Sequence, residues 1–267
     1  MLEILQYGFM QRAFIAGILI AIICAVIGVF LVLRRMSLLG DGLAHISFGG
    51  IAAGMFFNFY PLLSALVFSI LAAIGIQKLK GMRVYGDAAI AIFFSFGLAI
   101  GVVMVSLSHG FNADLFSFLF GSILAVSEID ILLILGMGII SLAALWLFFK
   151  ELFYITFDEE SARASGIPVE RLNIMLVVLT AIAVVLSMRI VGLLLVSSFL
   201  VIPASISLLV CRSFRQTILF AVFSAIISVV LGLMLAFYFD LAAGGAIVLT
   251  LVGGFALALV YRKLFHL

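Results

Sequence analysis

Residues 13–33 read AFIAGILIAIICAVIGVFLVL, an uninterrupted apolar run that ends at Arg34-Arg35. A membrane-spanning helix needs about 20 mainly apolar residues, so this stretch predicts a span that stops at the two arginines. The whole chain of 267 residues is 67% hydrophobic and 10% charged, whereas soluble domains contain roughly 45–50% apolar and about 25% charged residues. Because the apolar runs are continuous rather than alternating, they exclude a β-barrel. We expect an all-α, polytopic integral membrane protein that forms one domain over residues 1–267.

Further spans are predicted by the apolar runs that follow. They cover residues 41–58, 61–78, 88–108, 130–149, 172–188, 190–211 (broken by Pro203), 216–237 and 244–261. Together with the first run they predict eight to nine membrane helices, with Arg189 at an interface. Residues 115–124 are too few to span and predict a re-entrant or interfacial segment. The pairs Gly50/Gly54 and Gly97/Gly101 have the four-residue spacing that lets membrane helices pack closely.

The basic residues follow these runs and predict the orientation of the chain. With nine spans, all the following groups fall on one side: Arg34/Arg35, Lys78/Lys80/Arg83, Lys150/Arg163/Arg171, Arg212/Arg215 and Arg262/Lys263. The positive-inside rule makes that side the cytoplasm and places the N-terminus outside. An N-terminal segment lying in the interface would change the count by one. The net charge of +2 gives no indication of a nucleic-acid partner.

Asp41 and His45 form an ionisable pair in this apolar chain, within the stretch MSLLGDGLAHISFGG of residues 36–50. A four-residue spacing places both side chains on one face of a helix, and an ionisable residue inside a membrane indicates function. A carboxylate and an imidazole suit Zn, Mn or Fe ions. A two-fold dimer would supply four ligands around one axis. A structural interpretation stays open, in which Asp41 caps the helix and His45 makes a buried hydrogen bond.

Residues 157–168 predict a short cytoplasmic helix. Asp158 is the expected N-cap, acidic residues fill the first turn, and Gly166 with Pro168 ends the helix. The small Ala162 gives this helix a slim profile, which suits docking into a groove of another protein. An ordinary loop helix fits the same pattern.

Enzyme motifs are absent from the sequence. It contains no G-x-x-x-x-G-K-[ST] phosphate loop and no H-E-x-x-H, G-x-S-x-G or C-x-x-C motif. We therefore expect a protein that is not an enzyme, has no nucleotide site of its own and holds no permanent cofactor.

Four blocks of the sequence resemble the ABC-3 family, the permease subunits of prokaryotic zinc, manganese and iron ABC importers. The blocks are Leu33–Met36 continuing to Gly40–His45; Gly86–Ile90 continuing to Gly97–Gly101; Leu119–Leu124; and Phe157–Ile167 continuing through Val191–Val196 to Val201–Ala204. The four blocks occur in the family's order. The resemblance as a whole extends over nearly the entire chain. Gly42 and Ala44 stand where the family often has alanine and serine.

The resemblance implies a permease with a type II importer-like fold in the prokaryotic inner membrane. It would act as a homodimer, receive a divalent metal ion from an extracellular lipoprotein or periplasmic binding protein, and be driven by separate cytoplasmic ATPase subunits. It assigns Asp41 and His45 to the metal pathway. It also makes residues 157–168 the coupling helix that meets the ATPase, with the contact residues Phe157, Asp158, Glu159, Ala162, Arg163 and Gly166.

Two other interpretations remain open from the sequence. The chain could be a secondary metal transporter or channel that works alone, or a purely structural membrane subunit in which the Asp–His pair serves stability. The identity of the metal also stays open among zinc, manganese and iron, because aspartate and histidine together bind all three.

Overall fold

The computed structural model describes residues 6–108, 113–122 and 126–265, and within these ranges it consists of helices with no strand. The helices are α1 Gly8–Leu33, α2 Leu39–Phe56, α3 Pro61–Gly81, α4 Gly86–Leu107, α5 Ala113–Phe120, α6 Glu128–Leu147, α7 Phe149–Phe157, α8 Glu159–Ala164, α9 Val169–Val191, α10 Val196–Val210, α11 Phe214–Phe239 and α12 Ala243–Phe265. A 3-10 turn, Leu193–Leu195, leads into α10. The expected all-α architecture is confirmed.

Eight helical segments in the described ranges are long and apolar enough to cross a membrane. They are α1, α3, α4, α6, α9, α11, α12 and the segment Leu193–Val210 that contains α10. The predicted number of eight to nine membrane helices is therefore confirmed. Helix α2, with 18 residues, is not among the eight. It is rich in glycine and carries Asp41 and His45, which lower its hydropathy. It packs between α3, α4 and α9, and these neighbours shield it from lipid.

The helices alternate in direction and give the bundle two distinct ends. Arg34, Lys80 and Glu159 line one cleft where α1 and α3 end and α2 begins; we call this the Arg34 end. At the opposite end, Tyr60 before α3 donates a hydrogen bond to Asp130 of α6; we call this the Asp130 end. Helix α2 runs from the first end to the second and is therefore a ninth crossing. The positive-inside rule assigns the Arg34 end to the cytoplasm.

Glycines let α2 approach its neighbours closely. A Cβ atom at Gly97 of α4 would collide with the backbone of Ile46 in α2, and one at Gly49 would lie 2.6 Å from the carbonyl oxygen of Gly97. On the side of α3, a Cβ atom at Gly50 would lie 2.7 Å from the Cα of Ala65. Small residues therefore set the spacing of these helices, as in other membrane proteins.

Pro203 does not break its helix, contrary to the sequence-based prediction. Helix α10 continues through this buried proline, and the interruption lies earlier, at Gly192 and the following 3-10 turn. Neighbouring helices can stabilise a membrane helix that contains proline. Gly192 has φ of +83° and sits against the backbone of Phe120 and Gly121. A side chain would not fit there, so glycine is required where α9 ends.

A buried ion pair joins α6 and α9 at the Asp130 end. The Asp130 side chain is fully buried, and its Oδ2 lies 3.4 Å from Nε of Arg189. Tyr60 donates to Oδ1 at 2.8 Å, and the Ser127 hydroxyl donates to Oδ2 at 2.8 Å. The guanidinium carbon of Arg189 lies 4.2 Å above the ring of Phe118 in α5. The Arg189 side chain, which the sequence placed at an interface, is thus only 15% exposed and pairs with Asp130.

Gly97→Ala tests the packing of α2 against α4. We expect this variant to unfold at a lower temperature than the wild type in detergent, because overpacking costs about 1–3 kcal/mol. Gly136→Ala is the matched control, since a Cβ atom at Gly136 of α6 meets nothing within 4 Å. Equal unfolding temperatures for the two variants would contradict the close contact.

Asp130→Asn tests the buried ion pair. The substitution keeps the shape of the side chain but leaves the charge of Arg189 without its partner, which costs about 3–5 kcal/mol. We expect a marked loss of thermal stability in detergent. Glu128→Gln is the control, because the Glu128 side chain is 86% exposed and its carboxylate lies 3.9 Å from Arg12. If both variants unfold like the wild type, Asp130 and Arg189 do not stabilise this end of the bundle.

Candidate functional site

The first two turns of α2 hold the predicted metal-contacting pair. The helix begins at Leu39, and no side chain caps its beginning. Asp41 is therefore the third residue of the helix and not its cap, which removes the capping explanation for its presence. Its carboxylate Oδ1 lies 3.9 Å from Nδ1 of His45. The predicted proximity of the two side chains on one helix face is present in the structure.

The ring of His45 is oriented by the backbone of its own helix. Its Nδ1 lies 3.0 Å from the carbonyl oxygen of Asp41, so a neutral ring that donates there keeps its proton on Nδ1. Nε2 then has a free lone pair for a metal ion. Imidazole ligands commonly bind a metal through one nitrogen while the other donates to a carbonyl oxygen or carboxylate. This geometry meets that requirement.

Most of α2 is buried, but the pair reaches the surface of the protomer. The Asp41 side chain is 43% exposed and the His45 side chain 16%. The His45 ring packs against Phe94 of α4, with ring centroids 4.1 Å apart. The two polar side chains thus face outward beside α4, at the end of the bundle where Arg34 lies.

One copy of the chain supplies only these two ligands. In the described ranges, no three His, Cys, Asp or Glu side chains lie close enough together to hold a metal ion. Closed structural zinc sites use four protein ligands, and catalytic ones use three. A single protomer therefore offers half of an ordinary metal site.

The predicted cytoplasmic helix corresponds to α8, which is shorter than expected. It covers Glu159–Ala164, while Phe157 is the last residue of α7. Asp158 caps it as predicted, because its carboxylate accepts a hydrogen bond from the Ser161 backbone at 2.9 Å. Hydrogen bonding with the Ser161 side chain, and then with the Ser161 backbone, lowers the pKa of the exposed Asp158 carboxyl from its ordinary value.

The end of α8 also follows the sequence pattern. Gly166 has φ of +81°, its N–H donates to Arg163, and the N–H of Ile167 donates to the carbonyl oxygen of Ala162. These bonds form a Schellman motif, for which glycine is the preferred residue. The helix is therefore fixed at both ends by its own sequence.

Contacts with α7 and α9 hold α8 in place, and α7 is itself held by aromatic contacts. The ring of Phe157 lies 5.9 Å from that of Phe214 in α11, between centroids, and 4.8 Å from that of Phe153 in α7. Ala162 is fully buried, so its small side chain faces the protein and not solvent. The exposed surface of α8 and its flanks contains Phe157, Asp158, Glu159, Arg163 and Gly166.

Arg34 is a residue whose role the sequence did not reveal. The basic pair Arg34-Arg35 predicted only the end of a span and its orientation. In the structure, Nη2 of Arg34 donates to Oε2 of Glu159 at 3.2 Å, and the Arg34 side chain is only 8% exposed. Burial lowers the pKa of Arg34 from its ordinary value, and the Glu159 carboxylate acts in the opposite direction. A separation of 125 residues hides this contact from any local pattern.

Comparisons with known proteins agree with this architecture. The family model described as ABC 3 transport family matches residues 6–262. The manganese transport system membrane protein MntC of Halalkalibacterium halodurans is 33% identical, over 97% of this chain and 89% of that protein. The zinc uptake membrane protein ZnuB of Haemophilus influenzae is 33% identical, over 94% of this chain and 97% of that protein.

A solved structure matches the fold as well. PsaBC from Streptococcus pneumoniae in complex with Fab superimposes with a TM-score of 0.87 and 35% sequence identity, covering 98% of this chain and 96% of that one. The family match extends over nearly all of the chain, and both the order of helices and the sequence blocks agree with it. The chain therefore belongs to the ABC 3 transport family.

Proposed function

We propose that the chain is the permease subunit of an ATP-driven importer for divalent transition-metal ions, with manganese or zinc as the foremost candidates and iron as a third. The observation that supports this proposal is the Asp41–His45 pair, whose side chains lie 3.9 Å apart and are partly exposed beside α4. Relatives named for manganese and zinc transport support the same class of cargo.

The ligand chemistry fits a transported ion. Carboxylate oxygen and imidazole nitrogen bind manganese, iron and zinc, and geometry rather than affinity selects among them. An ion in transit must also leave, so a site of few ligands suits transport better than a closed cage. We infer that Asp41 and His45 bind the ion briefly on its way through the membrane.

A second copy of the chain would complete the site. Two-fold symmetry brings two Asp41–His45 pairs together and gives four ligands around one axis. The face of α4 next to Phe94 is suited to close contact, because it exposes the small residues Ala91, Ser95 and Ala99. A partner on this face would also cover polar side chains that are costly to expose to lipid.

Energy would come from a separate ATPase. The sequence has no phosphate loop, and α8 presents an exposed, capped helix at the Arg34 end. We propose that residues 157–168 contact the ATPase, and that an extracellular binding protein delivers the ion at the Asp130 end. In this arrangement the permease itself is not an enzyme.

Reconstitution is the experiment that tests this function. Proteoliposomes that contain the permease with its ATPase and binding protein are expected to take up ⁵⁴Mn or ⁶⁵Zn only with ATP. Competition between the two ions then identifies the preferred cargo. Uptake at the same rate by the permease alone would favour a channel or secondary transporter and would overturn the proposal.

Asp41→Asn and His45→Ala test the metal site. We expect one bound ion per two chains in the wild type, and at least a tenfold loss of both metal affinity and ATP-driven uptake in either variant, with normal yield. Asp87→Asn, at an exposed acidic residue in the first turn of α4, is expected to keep wild-type uptake. Wild-type affinity in the Asp41 and His45 variants would contradict the assignment.

A further inference from the structure

The ion pair between Arg34 and Glu159 connects two parts of the chain that the proposed function assigns to different tasks. Glu159 is the first residue of α8, and Arg34 directly follows α1. Nη2 of Arg34 and Oε2 of Glu159 are 3.2 Å apart. The contact therefore joins the helix proposed to meet the ATPase to the loop that begins the metal-binding helix.

The other ion pairs of α8 do not reach that loop. Arg163 lies 3.5 Å from Glu159 within α8 and 3.8 Å from Glu170 in α9, and all three side chains are more than 40% exposed. Exposed pairs of this kind contribute little to stability. Arg34 differs from them because its side chain is almost fully buried.

A cleft of about 830 Å³ leaves room for α8 to move. Its walls are the loop after α1 and the end of α3 on one side, and the end of α7, α8 and the beginning of α9 on the other. Arg34 and Glu159 both line it, and their ion pair links the two walls. A displacement of α8 would be passed across the cleft at this contact.

Backbone hydrogen bonds attach the loop after Arg34 to both α1 and α2, so it can transmit a displacement. The N–H of Met36 donates to Leu31 of α1 at 2.8 Å, and the N–H of Leu39 donates to Met36 at 3.0 Å. Arg35, directly before Met36, has φ of +55°, and this backbone conformation turns the chain sharply. Only six residues therefore separate Arg34 from Asp41.

We propose that Arg34 and Glu159 are positioning residues that couple movement of α8 to the beginning of α2, and so to Asp41 and His45. The ion pair transmits the effect of ATP hydrolysis and takes no part in binding the metal or in holding the ATPase. This inference rests on the proposed function. Loss of the pair therefore uncouples ATP hydrolysis from transport, while the ATPase stays bound.

The test measures metal transported per ATP hydrolysed by the full complex in proteoliposomes. We expect this ratio to fall at least tenfold in Arg34→Gln, with ATPase co-purification and metal binding by the permease unchanged. Glu159→Gln is expected to lower the ratio by as much, with metal binding by the permease unchanged. The exchanged pair Arg34→Glu/Glu159→Arg is expected to recover the ratio to within about threefold of wild type. Arg35→Gln, at the adjacent exposed arginine, is expected to match wild type.

Each other outcome overturns the inference in a recognisable way. An unchanged ratio in both single variants means that the pair does not couple the two helices. Loss of ATPase co-purification in Arg34→Gln means that the ion pair holds the ATPase-binding segment in place and does not transmit its movement. If Arg34→Gln folds poorly, Glu159→Gln and the exchanged pair decide, because they change the more exposed partner or keep both charges. Failure of ATP-dependent uptake in the wild type contradicts the proposed function, and not this inference alone.

Discussion

Close packing of α2 against α3 and α4 is the contact on which the rest of the site depends. Helix α2 carries an aspartate and a histidine through an apolar bundle, and lipid around it would be costly. Glycines at Gly49, Gly50 and Gly97 allow its neighbours to cover it at backbone distance. The polar pair is then left exposed on one narrow face, beside Phe94. The same packing that hides the helix from lipid thus determines which face of α2 leaves the Asp41–His45 pair accessible.

The two ends of the bundle are built differently. At the Asp130 end, a fully buried carboxylate is held by Arg189, Tyr60 and Ser127, and opening this contact would leave buried charges unpaired. At the Arg34 end, an open cleft separates α8 from the end of α3. The bundle therefore has buried charged contacts at one end and an open cleft beside α8 at the other.

Local interactions determine the shape of α8, and interactions with distant residues determine its position. Its sequence fixes the helix itself, through the Asp158 cap and the Gly166 turn. Its position depends on the guanidinium of Arg34, which is far away in the sequence. The segment before α8 is held by Phe157 of α7, whose ring contacts that of Phe214. A short helix of this kind can keep its shape while its position changes, which is what a coupling element requires.

The sequence by itself determined the class of protein, the membrane helices, the caps of α8 and the spacing of Asp41 and His45. These features follow from hydropathy and from contacts within a few residues, which a linear pattern records. Only the tertiary structure decided that Arg189 pairs with the buried Asp130, that Arg34 pairs with Glu159, and that α10 continues through Pro203. Each of these depends on a helix that is distant in the chain. The energetic cost of a buried charge, or of a proline inside a membrane helix, depends on such neighbours.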